Sequence, residues 1–334
     1  MIKVEEKYYK IWITLIKGLG IKKYTNLINK FKTRKNIYYA KKEDLTNIPL
    51  IDLRTIENIL EEKNKILAKQ CLIYMEKNNI DIISIEEKEY PINLINIYSP
   101  PICLYIRGDK NILKNKSIAI VGCRDCTEYG KKTAQKFSYN LAQNKINIVS
   151  GLAKGIDSEA HLGAIYAKGL TTAVLGNGLD TIYPKENYYL AEKILRNNGA
   201  IISEYPIGTK PEKMNFPARN RIISGISDGL LVVEAKKKSG TLITVDFALE
   251  QGRDVFIVPR KYRFIKLRRN KWFNKTRRKA SYKLRRFVIV IFSKWGRFLF
   301  KKGTVPISKK LYFCLIFIFY FFYFFVIIFQ NIYK

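Results

Sequence analysis

Seven consecutive residues, Asn215-Phe216-Pro217-Ala218-Arg219-Asn220-Arg221, place an aromatic ring, two guanidiniums and asparagine amides at what reads as the opening of a helix. Aromatic faces stack on unpaired bases, and arginines hold phosphates or stack in their turn. Such stacking contributes roughly 1–3 kcal/mol per base. Three glycine-containing turns share the same chemistry. They are Val121-Gly122-Cys123-Arg124, Ser150-Gly151-Leu152-Ala153-Lys154-Gly155 and Gly176-Asn177-Gly178. Glycine allows close backbone approach, and exposed N–H groups at a helix start attract phosphate oxygens. A further anion site is expected where Val232-Val233-Glu234 gives way to Lys236-Lys237-Lys238 and then to Ser239-Gly240-Thr241. Each feature has a plainer alternative. The turns can be ordinary strand-to-helix connections, and the three lysines a solvated loop. Phe216 can be core, with one arginine paired to Glu234.

Those residues need a scaffold, and its pattern is regular. From Ser117 onward, short apolar runs alternate with helical stretches. The runs are Ile118–Val121, Ile146–Val149, Thr172–Leu175, Ala200–Ser203, Leu230–Val233 and Val255–Val258. Helices are expected around Thr133–Gln143, Ser158–Ala167, Tyr188–Arg196, Asn220–Ile226 and Leu242–Gln251. Continuous β-branched runs between helices predict strands buried on both faces. The fold class is therefore α/β, a Rossmann-like, doubly wound, mostly parallel sheet. In such folds ligands sit at the carboxyl ends of the strands, where the motifs above fall.

The expected organisation has four parts. Residues 1–75 read as a small all-helical domain of helix-hairpin-helix or SAM-like type, in which Gly18-Leu19-Gly20 forms either a phosphate-approaching hairpin or a plain glycine turn. Residues 76–116 bridge into the core, punctuated by Pro91 and Pro100-Pro101. The core is 117–259. Residues 260–334 form an aberrant tail.

Charge separates the tail from the rest. The 334-residue chain carries a formal +33, but 21 of its 61 basic residues and none of its 28 acidic ones lie beyond Pro259. Residues 1–259 keep +12, which still favours polyanions such as nucleic acid. In the tail the α/β pattern stops, and an apolar run, Leu311–Phe329, is long enough to span a bilayer. Membrane contact is expected only if that run is genuine. Back-translating Arg269–Lys279 with A/T-rich codons and reading one base later yields Gly-Thr-Asn-Gly-Leu-Ile. The tail is accordingly read as a frameshift near codon 260. Independent genomic reads with an intact frame through Pro259 would remove that reading.

Enzymatic chemistry finds little support. His161 is the only histidine, so metal or triad work lacks a partner and a structural role is expected. Cys123-x-x-Cys126 is a single pair where a zinc ribbon needs two. The five scattered cysteines and the charged N-terminus predict a cytoplasmic protein with free thiols, without cofactor or metal. Asp157, Asp180, Glu204 and Glu234 could serve as acids or bases near strand ends. They keep open a rival, a nucleotide-processing hydrolase similar to the nucleoside-monophosphate phosphoribohydrolases. Those enzymes carry a Pro-Gly-Gly-x-Gly-Thr loop, where this chain has Lys238-Ser239-Gly240-Thr241.

Five motifs, in order, resemble the DNA-processing protein A (DprA/Smf) family. They are Gly151–His161, Leu175–Pro184, Ser203-Glu204-Tyr205-Pro206, Phe216–Arg221 and Glu234–Thr244, within a similarity running from about Tyr90 to Pro259. The resemblance implies a non-catalytic, single-stranded-DNA-binding protein. It would protect incoming DNA and load the recombinase RecA during natural transformation, commonly as a homodimer. It also implies that Arg124, Phe216, Arg219, Asn220 and Arg221 belong to the DNA-binding pocket. Cys123 stands where the family usually has serine, and a thiol is the weaker donor. The expected interface is Gly122, Arg124, Ser150, Gly151, Lys154, Gly155, Asn215, Phe216, Arg219, Asn220, Arg221, Lys238, Ser239, Gly240 and Thr241.

Overall fold

The computed structural model describes residues 2–236 and 239–258. The tail, with its frameshift and apolar run, lies outside the described residues, as does Lys238.

The first part of the chain forms six helices: α1 (Ile2–Leu15), α2 (Ile21–Phe31), α3 (Arg34–Tyr38), α4 (Lys42–Thr46), α5 (Leu53–Leu60) and α6 (Glu62–Lys77). Side-chain caps fix several starts. Thr33 accepts from the Asn36 amide and Asp52 from the Thr55 amide, satisfying N–H groups that the helix itself leaves unpaired. Trp12, Tyr24, Leu27 and Met75 are fully buried, in one continuous apolar cluster with Tyr105, Ile194 and Ile201 of the sheet region. Polar ties run the same way, through Thr14 Oγ1 to Tyr105 Oη at 2.6 Å and Lys10 Nζ to Glu87 at 2.7 Å.

The stretch expected to bridge the two parts supplies strands of its own. β1 (Ile80–Ser84) and β2 (Cys103–Gly108) pair antiparallel, and the short α7 (Ile92–Ile95) lies between them. The prolines sit where no ladder N–H is needed. Pro91 precedes the first turn of α7, and Pro100-Pro101 precede β2.

The core follows the alternation seen in the sequence: β3 (Ser117–Gly122), α8 (Glu128–Gln143), β4 (Asn147–Ser150), α9 (Ile156–Tyr166), β5 (Thr171–Val174), α10 (Tyr188–Arg196), β6 (Ala200–Ser203), α11 (Asn215–Ile226), β7 (Gly229–Glu234), α12 (Gly240–Glu250) and β8 (Asp254–Ile257). The eight-stranded sheet has the order β1-β2-β6-β5-β4-β3-β7-β8. Strands β6 through β8 are mutually parallel in that order, and β2 pairs antiparallel with β6.

Period-2 side-chain alternation divides each strand between two helical layers. Ala119 and Val121 of β3 pack with Ile222 and Ile226 of α11 and Ala248 of α12. Ile120 between them packs with Ala134 of α8 and Ile156, Ala160 and Ala164 of α9. Strand order reverses at β3, which has β4 on one side and β7 on the other. The helices leaving β3 and β7 therefore diverge to opposite faces and open a crevice at the carboxyl ends of those strands.

Candidate nucleic-acid interface

At the crevice, Gly122 closes β3 and leads into the Cys123–Cys126 loop, while Glu234 closes β7. The two ends are tied together. The Cys123 amide donates to the Glu234 carbonyl at 2.7 Å, and the Glu234 carboxylate accepts from the Thr127 amide at 2.9 Å. Arg124 lies in this loop, exposed and without an ion pair among the described residues. Three described lysines near the strand ends are occupied. Lys154 pairs with Glu186 at 2.6 Å, Lys236 with Asp125 at 2.5 Å and Lys131 with Glu128 at 2.6 Å. Across the crevice, α12 begins with Ser239 and Gly240. No side chain caps its first amides, and the Ser239 hydroxyl is buried without a partner among the described residues. Asn220 of α11 reaches the Gly240 carbonyl at 3.3 Å, and Thr241 is buried behind it.

Gly155 belongs to this site through its backbone. It has φ +79, and a Cβ there would lie 2.4 Å from the Arg124 carbonyl oxygen. The glycine thus lets the start of α9 press against the Arg124 loop.

Several expected contacts sit differently in the fold. Arg219, expected at a phosphate, is 4% exposed. Its guanidinium donates to the Gly151 carbonyl at 2.9 Å and to the Val174 carbonyl, joining α11 to the ends of β4 and β5. Asp157 lies opposite and accepts from the Gly151 amide at 3.1 Å. Burial pushes the Asp157 carboxyl up to about 6 despite the neighbouring Arg219 charge, and burial draws Arg219 down to about 10. The Gly151 amide, expected to meet phosphate, is therefore taken by Asp157. Ser150 is also buried and donates to the Ile120 carbonyl at 2.7 Å. These three residues hold the strand ends together from beneath, because a buried polar group far from solvent must find its partners inside the protein.

Arg221 makes a two-pronged ion pair with Glu204 at 2.9 and 2.6 Å, a partner other than the Glu234 considered from sequence. Such bidentate geometry is the strong form of the interaction. Phe216 is partly buried and sits beside Tyr183, with ring centroids 5.3 Å apart and planes inclined by 35°. Tyr183 is 40% exposed, so the pair presents an open aromatic edge. Asn215 precedes Phe216 and offers its carbonyl to the Tyr205 hydroxyl at 3.4 Å.

Tyr183, the pairing of Glu204 with Arg221 and that of Asp157 with Arg219 were not read from the sequence. Tyr183 lies inside the Leu175–Pro184 motif, so its motif membership was a usable signal. No local pattern pairs Asp157 with Arg219, because only the crossover through α11 brings them together. His161 is fully buried, and its Nδ1 lies 2.7 Å from the Thr171 hydroxyl. Burial, then the Arg219 charge, lowers its imidazole to about 3, so the ring is neutral at ordinary pH.

Residues 81–282 match the family model of DNA recombination-mediator protein A, a match that extends past Pro259 into the basic segment. The chain is 39% identical over 263 residues to protein Smf of Synechocystis, covering 78% of this chain and 66% of the relative. It is 44% identical over 210 residues to the DNA processing protein DprA of Bacillus subtilis, covering 63% and 70%. It thus spans about two thirds of the length of these relatives. Among solved structures, DprA of Streptococcus pneumoniae superposes with a TM-score of 0.64 at 34% identity, covering 77% of this chain and 88% of that one. DNA processing protein A of Helicobacter pylori, described with its single-stranded-DNA binding mode, gives 0.51 at 30% identity, covering 60% and 88%. With its motifs, strand order and crevice all in register with that match, the chain belongs to the DNA recombination-mediator protein A family.

Proposed function

We propose that this protein binds single-stranded DNA at the carboxyl ends of β3, β4 and β7, and acts in DNA processing by protecting the strand and delivering it to RecA. The observation that carries this reading is Arg124. It is an exposed guanidinium without an ion pair among the described residues, in the loop that leaves β3 at the topological switch point. The Tyr183–Phe216 edge offers an unpaired base a face to stack on, which a closed duplex does not present. Lys154, Gly122, Gly155, Asn215, Asn220, Ser239 and Gly240 line the same crest. Arg219, Ser150, Gly151 and Thr241 support it from beneath.

The reading is of a non-catalytic, cytoplasmic protein working as a homodimer in natural transformation. The lone histidine, held neutral in the interior, supports the non-catalytic part of it, and the name of the Bacillus subtilis relative supports a role in DNA processing. Among the described residues no helix is long and apolar enough to cross a membrane.

Fluorescence anisotropy with labelled oligo-dT, repeated from about 50 to 200 mM salt, tests the proposal. Expected are binding that weakens with salt and a clear preference over duplex of equal length. Absence of binding at the lowest salt would refute it. Recovery of RecA filament formation on strands coated by a single-stranded-DNA-binding protein tests the delivery step.

A further inference from the structure

Helix α8 begins at the crest, where Thr127 caps it and touches Glu234, and runs back along the sheet beside α9. The two helices approach closely at Gly163. A Cβ there would lie 2.5 Å from the Gln135 carbonyl oxygen and 2.9 Å from the Ser138 Cβ. Above this contact lies an open depression of about 280 Å³, lined by Lys132, Gln135, Lys136, Tyr139 and Tyr166 around Gly163. Lys132, Lys136 and Tyr139 fall at helical spacing on one face of α8, while Tyr166 is the last residue of α9. From the start of α8 to Tyr139 the helix advances about 17 Å, so a strand leaving the crest along α8 would pass over the depression.

Its composition differs from that of the crest in one respect. At the crest Lys131, Lys154 and Lys236 are paired with carboxylates, whereas Lys132 and Lys136 are exposed and make no ion pair among the described residues. The nearby acids are engaged elsewhere: Glu128 by Lys131 at 2.6 Å, and Glu159 by the Gln135 amide at 2.5 Å. The walls are two exposed phenol rings, Tyr139 at 37% and Tyr166 at 63%. Unpaired ammonium groups in line, followed by exposed ring faces, form the arrangement that tracks a backbone and stacks its bases without reading sequence. A peptide would find no row of backbone donors here, because both walls are helices.

We infer that the α8–α9 groove is a second contact for the same nucleic-acid strand, holding the segment that leaves the crest. The inference rests on the single-stranded-DNA reading of the crest and extends the footprint down one face of the domain. Phosphates would lie over Lys132 and Lys136, and one or two bases against Tyr139 and Tyr166. The groove then sets how long a strand must be for full affinity.

The test uses the full chain with two oligo-dT lengths, about 6 and about 20 residues, bracketing a one-groove and a two-groove site. In the wild type the longer strand should bind at least about tenfold more tightly per site. The double substitution Lys132→Glu and Lys136→Glu should remove that advantage and leave the short strand within about twofold. The salt slope for the long strand should fall by about 1.4, since each single-strand phosphate contact accounts for about 0.7. Tyr139→Ala with Tyr166→Ala should weaken only the long strand. Iododeoxyuridine placed at the strand end should photo-crosslink to one of the two tyrosines. Equal affinity for both lengths in the wild type, or equal weakening of both lengths by the lysine substitutions, overturns the groove and leaves the crest reading standing. Failure of both lengths to bind overturns the crest reading and the groove with it.

Discussion

Replacing Arg219 by methionine separates a buried strut from a phosphate ligand. The side chain is fully enclosed, joins the Gly151 and Val174 carbonyls, and faces the Asp157 carboxylate. Methionine fills much of the same volume but leaves both carbonyls unpaired and Asp157 without its countercharge. Breaking one partner of a buried pair typically costs about 3–5 kcal/mol. With a urea m-value of about 3 kcal/mol/M, the unfolding midpoint of Arg219→Met should drop by about 1–1.7 M at pH 7.5. Adding Asp157→Asn removes the stranded charge and should return about 1–3 kcal/mol, which a double-mutant cycle measures as coupling. The DNA readout is the sharper discriminator. Arg219→Met should weaken oligo-dT binding by displacing Phe216 and the Gly151–Gly155 turn, yet leave the salt slope unchanged, because no phosphate contact is lost. A slope smaller by about 0.7, with little loss of stability, would show that Arg219 touches the strand and that the strut account is mistaken.

Arg124→Ala should show the opposite pattern: unchanged thermal stability, weaker binding, and a salt slope reduced by about 0.7. An unaltered slope would remove Arg124 from the interface. Gly155→Ala forces a side chain into positive φ and onto the Arg124 carbonyl. It should cost at least about 1–3 kcal/mol by chemical denaturation, and a neutral result would disprove the close approach. The pH profile carries a fourth expectation. The Asp157 carboxyl is raised from 3.8 to about 6, so its contribution is fully present below about 4 and lost as pH rises through about 6. The His161 imidazole is lowered from 6.5 to about 3, so its contribution is present above about 6.5 and lost as pH falls through about 3. Between about pH 4 and 6 the two trends oppose each other at about 1.4 kcal/mol per pH unit each. His161→Gln should therefore gain stability relative to wild type on acidification across that window, measured by urea titration at each pH. A difference that stays constant with pH would contradict the buried neutral ring.

The six parallel strands and five intervening helices were legible as alternating runs, because burial on both sheet faces forces continuous apolar strands. The glycine turns and the Phe216–Arg221 cluster were legible as a site because strand ends are where such folds keep their ligands. β1 and β2 were less visible. They lie among prolines with no long helix between them, and their runs include the charged Asp81 and Arg107.

What the chain alone determined was the α/β class and the order of the parallel strands, each placed to within about a residue at either end, since these follow from local periodicity. Which arginine meets solvent was decided only by the folded arrangement. Arg124, Arg219 and Arg221 are chemically identical in the sequence, yet they end as an open guanidinium, a buried strut and a carboxylate-bound pair. The reason is that burial and countercharge are properties of three-dimensional neighbours. Asp157, in the first turn of α9, and Glu204, just after β6, meet their arginines only because α11 packs over the ends of the neighbouring strands.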